Sequence, residues 1–289
     1  MKTFAGIEPK YADKASAQIY LQSINYDGTS TWGKGAHLGW SAFLDAADNM
    51  ELYDIETDSE VYKKGIHVLD EAPQFRSPEE MYEYTLKHTQ SLLELNKFLT
   101  FFGGEHSISI GIIKAFYKKH SDLTVLQIDA HADLRPAYNG TPFNHACAVY
   151  DASRHTNLIQ VGIRSMDISE KEHMNCNKTY FAHKIIDSDD SWMDRLVEQA
   201  SGRVYITVDL DAFDSSIMPA TGTPEPGGLD WRTITKLLKK VFQQHNVVGF
   251  DIVELAPIPD MNAPQYLAAK LYYKMLSYKF YNSNKQNLK

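Results

Sequence analysis

The sequence predicts an α/β fold in which a parallel sheet carries helices on both faces. Several segments are continuous apolar runs, such as VYITVDL and VVGFDIVEL, and strands buried on both faces have this composition. About eight such runs alternate with segments of helical pattern. The chain has 289 residues, 43% of them apolar, which is enough for one large packed core. We therefore expect a single domain over residues 1–289.

Strand-like runs occur along most of the chain. We expect strands at residues 17–24, 65–69, 98–102, 124–129, 157–162, 179–182, 204–209 and 247–252. We expect helices at residues 77–95, 192–200, 231–244 and 264–278. The first helix begins with S-P-E-E, where Ser77 suits the N-cap and proline suits the first turn. A closed barrel of eight βα units is a competing arrangement, and the polar tail at about 281–289 is expected to fray.

Composition argues against several classes of protein. The formal net charge is -8 and no long run of Lys and Arg occurs, so a nucleic-acid partner is not expected. The first residues are too polar for a signal peptide, and no apolar run approaches the roughly 18 residues of a membrane helix. Two cysteines, Cys147 and Cys176, do not form a disulfide framework. These features favour a soluble, cytoplasmic protein without membrane or nucleic-acid partners.

Acidic and histidine side chains follow three of the predicted strands. The motifs are G-G-E-H-S, D-A-H-A-D and D-L-D, and they supply His106, Asp129, His131, Asp133, Asp209 and Asp211. Ligands of parallel sheets bind at the carboxyl ends of the strands. Because side chains alternate along a strand, we expect the polar groups of D-x-H-x-D and D-x-D to point to one place, with Ala130, Ala132 and Leu210 facing away.

Four carboxylates and two imidazoles gathered in one place would not be stable without a counter-charge. One divalent metal ion resolves this conflict and two resolve it better, and the mixture of oxygen and imidazole ligands favours Mn²⁺. Two such ions hold a hydroxide between them at neutral pH. A single D-x-H-x-D motif also suits helix N-caps and a hydrogen-bonded core histidine, so the prediction depends on the three motifs occurring together.

Longer motifs around these residues resemble the ureohydrolase family, which includes arginase and agmatinase. They are GGEHS, DAHADLR, DLDAFDSSIMPATGTPEPGGL and DIVELAP, in order over residues 103–257. An earlier segment, YDGTSTWGKGAHLGWSAFLDAADNMELYD, resembles the family's N-terminal glycine-containing loop and the helix after it. The resemblance implies a three-layer α/β/α sandwich with an eight-stranded, mainly parallel sheet, which decides against the barrel. It also implies two Mn²⁺ ions per subunit, hydrolysis of a guanidino group to an amine and urea, and a trimeric or hexameric homo-oligomer.

The resemblance also assigns roles to individual residues. One metal ion takes His106, Asp129, Asp133 and Asp209, and the other takes Asp129, His131, Asp209 and Asp211. Asp129 and Asp209 would then bridge the two ions, and a bridging hydroxide would be the nucleophile.

Further residues are expected to handle the substrate. Asp133 would orient the hydroxide, and Glu254 would pair with the substrate guanidinium. His145, in F-N-H-A-C, resembles the family's proton-shuttling histidine, although a surface-loop histidine is the alternative. Gly222 and Thr223, in A-T-G-T-P, resemble the turn beside the substrate, where glycine permits close approach of the backbone.

The roles of two further residues stay open at this point. Glu105 either supports the metal ligands or is a solvated charge. Cys147, two residues after His145, is either a nucleophile or a buried packing residue, and packing is favoured.

The segment L-R-P-A-Y-N-G-T-P-F-N-H resembles agmatinase rather than arginase, which implies hydrolysis of agmatine to putrescine and urea. Glu225 would suit the amine end of agmatine. Arg135 would instead suit a guanidino acid such as 4-guanidinobutyrate, unless it forms a structural ion pair. Another guanidino acid, a formimino compound and arginine are alternative substrates, and an inactive metal-binding relative is the non-enzymatic alternative.

Overall fold

The computed structural model describes residues 3–286, and it describes their side chains as far as Phe280. Eight strands form one sheet: β1 (Ile19–Ile24), β2 (Ile66–Val68), β3 (Phe98–Gly103), β4 (Leu123–Ile128), β5 (Asn157–Ile163), β6 (Thr179–Phe181), β7 (Arg203–Asp209) and β8 (Asn246–Val253). Their order is β2-β1-β3-β8-β7-β4-β5-β6, and every pair of neighbours is parallel. Within the described residues β2 and β6 are open edges, so the sheet does not close into a barrel.

Nine α-helices connect or cover the strands in the described part of the chain. They are α1 (Pro9–Ala12), α2 (Gly39–Ala47), α3 (Pro78–Leu93), α4 (Ile108–Lys119), α5 (Tyr150–His155), α6 (Ala182–Ile185), α7 (Ser191–Gln199), α8 (Trp231–Gln244) and α9 (Ala263–Gln286). The four predicted helices correspond to α3, α7, α8 and α9. The predicted tail at 281–289 lies outside the residues with described side chains. No described helix is both long enough and apolar enough to span a bilayer.

The predicted start of α3 is confirmed in atomic detail. Ser77 is the N-cap, and its hydroxyl oxygen accepts a hydrogen bond from the backbone N–H of Glu80 at 3.2 Å. Pro78 occupies the first helical position, where no backbone donor is needed. In contrast, α4 was not predicted. Its first two turns, ISIGIIKAF, are buried on nearly every side, so they show no amphipathic period.

The helices form two layers, one on each face of the sheet. Side chains of α2, α7, α8 and α9 join one large apolar cluster, in which Phe43 of α2 stacks on Phe102 of β3 with ring centroids 4.1 Å apart. Side chains of α3, α4 and α5 form the second cluster, which includes Met81, Ile112 and Phe116. These two clusters bury both faces of the sheet, as the continuous apolar runs in the sequence predict. The predicted three-layer α/β/α sandwich is thus confirmed.

The four strands in the middle of the sheet, β3, β8, β7 and β4, all end at the same edge. Short backbone hydrogen bonds hold the segments that follow them. Gly104 donates its N–H to the carbonyl of Ile24 at 2.7 Å, and Glu254 donates to the carbonyl of Gly104 at 2.8 Å. The chain therefore fixes a crevice at the carboxyl ends of these strands, the usual place for a ligand in an open α/β sheet.

Gly104 offers a test of this close packing. A Cβ atom at this position would lie 1.8 Å from the carbonyl oxygen of Tyr26, which is backbone and cannot rotate away. We expect Gly104→Ala to lower the free energy of unfolding by about 1–3 kcal/mol, measured by urea denaturation. In Gly140→Ala the added Cβ meets no atom within 4 Å, and only the positive φ of 83° opposes it. An equal or larger loss in that control would contradict the steric explanation.

Candidate active site

The loops after β4 and β7, not strand alternation, gather the acidic side chains. β4 ends at Ile128, before the D-A-H-A-D motif, and β7 is followed by a 3-10 helix at Leu210–Ala212. The expectation that alternation continues through both motifs is therefore wrong. Instead, Asp129 Oδ1 accepts the backbone N–H of His131 at 2.6 Å, and Asp209 Oδ1 accepts that of Asp211 at 2.9 Å. Each aspartate thus folds the chain back over two residues.

The six residues predicted to bind metal lie together. The Nδ1 atom of His106 lies 3.1 Å from Asp129 Oδ2, 3.2 Å from Asp133 Oδ2 and 3.3 Å from Asp209 Oδ2. His131 Nδ1 lies 2.9 Å from Asp211 Oδ2 and 3.8 Å from Asp129 Oδ1. Two triads have ligand atoms within 4.8 Å of one another and share Asp129: His106, Asp129 and Asp209, and Asp129, His131 and Asp211. The arrangement suits two neighbouring ions.

The hydrogen bonds of His106 indicate that a cation belongs in the first group. Nδ1 is buried close to three carboxylate oxygens, yet it is aligned for a hydrogen bond with none of them. The opposite nitrogen, Nε2, lies 2.9 Å from the hydroxyl of Thr207, which donates its proton to Asp251 at 2.5 Å. Nε2–H is therefore the donor to Thr207, and the neutral imidazole keeps a lone pair on Nδ1. Burial opposes a charge on this imidazole, but the carboxylates of Asp129, Asp133 and Asp209 raise its pKa well above the usual range, so a metal ion would compete with a proton for Nδ1. A lone pair facing carboxylates is stable when a cation lies between them.

The charges of the cluster lead to the same conclusion. Burial and the neighbouring charge of Asp129 raise the pKa of Asp133 to about 7. Burial followed by the charges of Asp211 and Asp129 raises the pKa of Asp209 well above its usual range. Burial opposes the charged form of His131, but Asp211 beside it raises the pKa of that imidazole to about 11. Both the acids and the imidazole therefore respond to a surplus of buried negative charge, which divalent ions would neutralise.

Glu254 directly follows β8 and lies close to the same cluster. Its Oε1 atom accepts the backbone N–H of His106 at 2.8 Å. A Cβ atom added to Gly222 would lie 3.4 Å from its Oε2 atom, so the glycine lies directly beside this carboxylate. Burial, and then the charge of Glu105, raises the pKa of Glu254 well above its usual range. A guanidinium partner would favour the charged form of this carboxylate.

Two of the predicted site residues have a strained backbone. Asp133 has a φ of 51° and Glu254 a φ of 69°, in the left-handed region that non-glycine residues seldom adopt. Such conformations cost about 1–3 kcal/mol each and are often found at functional sites. The surrounding structure therefore holds both carboxylates in backbone conformations that they would not adopt on their own.

A cavity of about 270 Å³ opens over the cluster. Its lining includes the predicted site residues His131, Asp133, His145 and Thr223. The other lining residues are Thr31, Arg135, Tyr138, Ala146, Ser165, Met166, Asp167 and Glu170. The imidazole of His145 is not a freely exposed loop side chain, because Nδ1 lies 3.1 Å from the hydroxyl of Thr29. Burial, and then the charge of His131, lowers the pKa of His145 to about 4.

Charged side chains surround the mouth of the cavity. The guanidinium of Arg135 lies 3.8 Å from Glu170 and 4.0 Å from Asp167, and it stacks over Tyr138 at 4.3 Å. The structural ion pair expected as one alternative for Arg135 is thus present. Glu225 Oε1 lies 3.6 Å from Nε2 of His131, which places this carboxylate beside the cluster.

The structure also decides the two open alternatives. Glu105 is fully buried, so the solvated-charge alternative is wrong. Cys147 is 2% exposed, and burial raises the pKa of its thiol to about 12. A thiol with this pKa is protonated at neutral pH, which argues for packing rather than nucleophilic attack.

Sequence inspection missed three residues that support the site: Thr29, Thr207 and Asp251. Thr207 and Asp251 orient His106 from neighbouring strands. Asp251 had a recognisable signal, since it is a carboxylate with apolar neighbours on both sides in G-F-D-I-V, within the predicted strand. A buried charge within a central strand needs a partner of this kind. Thr29 had no such signal beyond its place in the glycine-containing loop.

Known proteins resemble the chain over most of its length. The N(1)-aminopropylagmatine ureohydrolase of Thermus thermophilus is 33% identical over 93% of this chain and 93% of its own length. The agmatinase of Bacillus subtilis is 29% identical over 90% of this chain and 89% of its own length. The crystal structure of agmatine ureohydrolase from Thermoplasma volcanium is 28% identical, with a TM-score of 0.88 over 99% of this chain and 96% of that one.

A profile described as the arginase family matches residues 17–277. This range contains all eight strands and each of the clustered acids and histidines described above. The chain therefore belongs to the arginase family and is a hydrolase that acts on C–N bonds in linear amidines.

Proposed function

We propose that the protein hydrolyses agmatine to putrescine and urea. The observation that carries this proposal is the position of the buried Glu254, which lies beside Gly222 and close to the clustered acids. A planar guanidinium fits a carboxylate that faces a residue without a side chain. The crevice also holds the six clustered residues and opens into a cavity for the rest of the substrate.

We further propose that two Mn²⁺ ions bind to the cluster. His106, Asp129, Asp133 and Asp209 would hold one ion, and Asp129, His131, Asp209 and Asp211 the other. When bound, such ions neutralise the acidic cluster and make water a strong nucleophile at neutral pH. The lone pair of His106 Nδ1 and the mixture of imidazole and carboxylate ligands support this choice of metal.

The protein's own side chains then carry the remaining steps. Glu254 holds the guanidinium through Oε2, and Gly222 leaves room for it. Asp133, whose Oδ2 atom faces His106, uses its other oxygen to orient the attacking water. His145, on the wall of the cavity, passes a proton to the nitrogen that leaves as an amine. Thr223 lines the path of the substrate chain.

The charges at the cavity mouth favour a substrate that ends in an amine. Arg135 already faces two carboxylates, Asp167 and Glu170, so it is a poor anchor for a substrate carboxylate. Glu225 adds a further negative charge beside His131. Agmatine, which ends in an ammonium group, suits this surface better than 4-guanidinobutyrate or arginine, which carry a carboxylate.

N(1)-aminopropylagmatine is a second candidate substrate. Relatives from Thermus thermophilus and Synechocystis, 33% and 30% identical to this chain, are named as its ureohydrolases. Its aminopropyl extension would add a cation, and Asp167 at the outer wall is an acceptor of suitable charge.

We also propose that residues 1–289 form one domain, because a single continuous sheet runs from β2 to β6. The family resemblance supports a homo-oligomer, a trimer or a hexamer, as the assembled form.

The substrate is tested by urea release from Mn²⁺-loaded protein. Agmatine, N(1)-aminopropylagmatine, 4-guanidinobutyrate and arginine are compared at equal concentration. We expect the highest kcat/KM with one of the two amine-ended substrates, and agmatine is the first choice. A higher kcat/KM with 4-guanidinobutyrate or arginine would contradict the claim that Arg135 is a poor anchor for a substrate carboxylate.

The shared ligand is tested with Asp129→Asn. This change removes the negative charge of the one side chain that the two triads share, so we expect metal content and urea release to fall together. The fall in activity should exceed the ~10–100-fold typical of residues that only support metal ligands. Metal content is measured by mass spectrometry, with the exposed Asp187→Asn as the control. Full metal content with full activity would remove Asp129 from the centre.

The proton-transfer role is tested with His145→Ala. We expect kcat to fall by about 10²–10⁴-fold while metal content stays unchanged, because His145 is not among the proposed ligands. His155→Ala changes a half-exposed histidine far from the cavity lining and serves as the control. Unchanged turnover in His145→Ala would end the shuttle proposal.

The pH profile separates His145 from the activated water. Burial, and then the charge of His131, lowers the pKa of His145 to about 4, so its imidazole is mostly neutral in the free enzyme from pH 6 upward. A rise of kcat/KM between pH 6 and 9 should therefore come from the water, and its midpoint should be the same in wild type and in His145→Ala. A midpoint near pH 6.5 that disappears in the variant would show that His145 titrates there instead.

A further inference from the structure

One hydroxyl group in the loop between β1 and α2 contacts two site residues. Thr29 Oγ1 lies 2.9 Å from Oε1 of the buried Glu105. The same oxygen lies 3.1 Å from Nδ1 of His145 and 3.0 Å from the backbone nitrogen of His145. Thr29 therefore connects a buried carboxylate to the histidine on the cavity wall. A hydroxyl has one proton, so only one of these contacts can use it.

The partners of Glu105 decide where that proton goes. Glu105 accepts backbone N–H groups from Thr29 at 3.1 Å and from Ser107 at 2.8 Å, and the Ser107 hydroxyl at 2.9 Å. Each of its two oxygens thus accepts a backbone N–H group, Oε1 from Thr29 and Oε2 from Ser107, and so acts as an acceptor. Because Oε1 already accepts the backbone N–H of Thr29, it also accepts the hydroxyl proton of Thr29.

The protonation of His145 follows from this assignment. Since the proton of Thr29 points to Glu105, its oxygen accepts both the backbone N–H and the Nδ1–H of His145. The neutral imidazole then has its proton on Nδ1 and its lone pair on Nε2. Two hydrogen bonds from one residue to one oxygen also fix the direction of the ring.

We propose that Thr29 and Glu105 are positioning residues that hold His145 in the tautomer and orientation needed for proton transfer. The inference rests on the proposed role of His145. In the reaction Nε2 accepts a proton from the water that attacks the guanidinium carbon, and the imidazolium keeps its Nδ1–H bond to Thr29. Nε2 then gives the proton to the leaving nitrogen, and the neutral imidazole returns with its proton still on Nδ1.

The loop that carries Thr29 is itself held in place. Asp27 accepts the backbone N–H of Gly35 at 2.6 Å, and its other oxygen accepts the hydroxyl of Ser30. Gly33 donates its N–H to the carbonyl of Gly222 at 3.0 Å, in the turn beside Glu254. The loop thus positions the proton-transfer side chain and the substrate turn together.

Thr29→Val tests the proposal, because valine keeps the shape of threonine but offers no hydroxyl. Thr29 is only partly buried, so the change should leave the fold and metal content intact. We expect kcat to fall by about tenfold or more, toward the loss expected for His145→Ala. Thr29→Ser, which restores a hydroxyl, should recover most of the rate. A kcat of Thr29→Val within about twofold of wild type would overturn the proposal.

A double-variant comparison separates positioning from general structural support. If Thr29 acts through His145, Thr29→Val should cause no further loss of kcat in a His145→Ala background. The same fold loss in both backgrounds would mean that Thr29 acts elsewhere, and the proposal would fail.

A spectroscopic measurement makes the test independent of any substrate. We would record the ¹⁵N shifts of His145 in protein loaded with diamagnetic Mg²⁺, assigned by comparison with His145→Ala. We expect a protonated Nδ1 and an unprotonated Nε2 in wild type, and a shift of both signals in Thr29→Val. A protonated Nε2 in wild type, or unchanged signals in the variant, would overturn the proposal. If no guanidino substrate releases urea, the proposed function fails while this measurement still decides the role of Thr29.

Discussion

Repulsion among buried carboxylates is the constraint on which the rest of the site depends. Asp129, Asp209 and Asp211 lie at the ends of central strands, each no more than 3% exposed, within reach of one another. Repulsion between buried carboxylates destabilises the fold unless a cation or a proton intervenes, and after burial it is the charges of Asp211 and Asp129 that raise the pKa of Asp209. Asp129 and Asp209 each accept a hydrogen bond from a backbone N–H group, which offsets part of the free energy lost to repulsion. These hydrogen bonds also set the direction of each side chain.

The sequence predicts the layers of this fold well because both faces of the sheet are buried. Strands such as β7 and β8 are apolar along nearly their whole length, and their runs are recognisable without any tertiary information. The same burial hides α4, which is apolar on nearly every side and therefore lacks a helical period. The resemblance to ureohydrolases supplies what periodicity does not, namely the open sheet instead of a barrel.

Site residues can be predicted from the sequence where several of them occur together in one short motif. They are harder to predict where a residue from a distant loop holds a site residue in place. D-A-H-A-D and D-L-D mark their residues directly, although their side chains converge through turns after the strands and not through alternation. Thr29 lies 76 residues before its partner Glu105 and 116 before His145. A threonine in a loop has many ordinary uses, so only the folded arrangement shows which groups its hydroxyl contacts.

The order of strands has a consequence for how the protein is made. β8, the last strand of the chain, lies between β3 and β7 and is paired with both. His106 follows β3, whereas the clustered acids follow β4 and β7, on the other side of β8. While β8 has not yet emerged from the ribosome, a nascent chain therefore lacks the strand that joins the two halves of the sheet. The group of His106, Asp129 and Asp209 draws residues from both sides of β8, so it and the carboxylate of Glu254 become complete only when β8 is paired. The group of Asp129, His131 and Asp211 instead follows β4 and β7, which pair with each other directly.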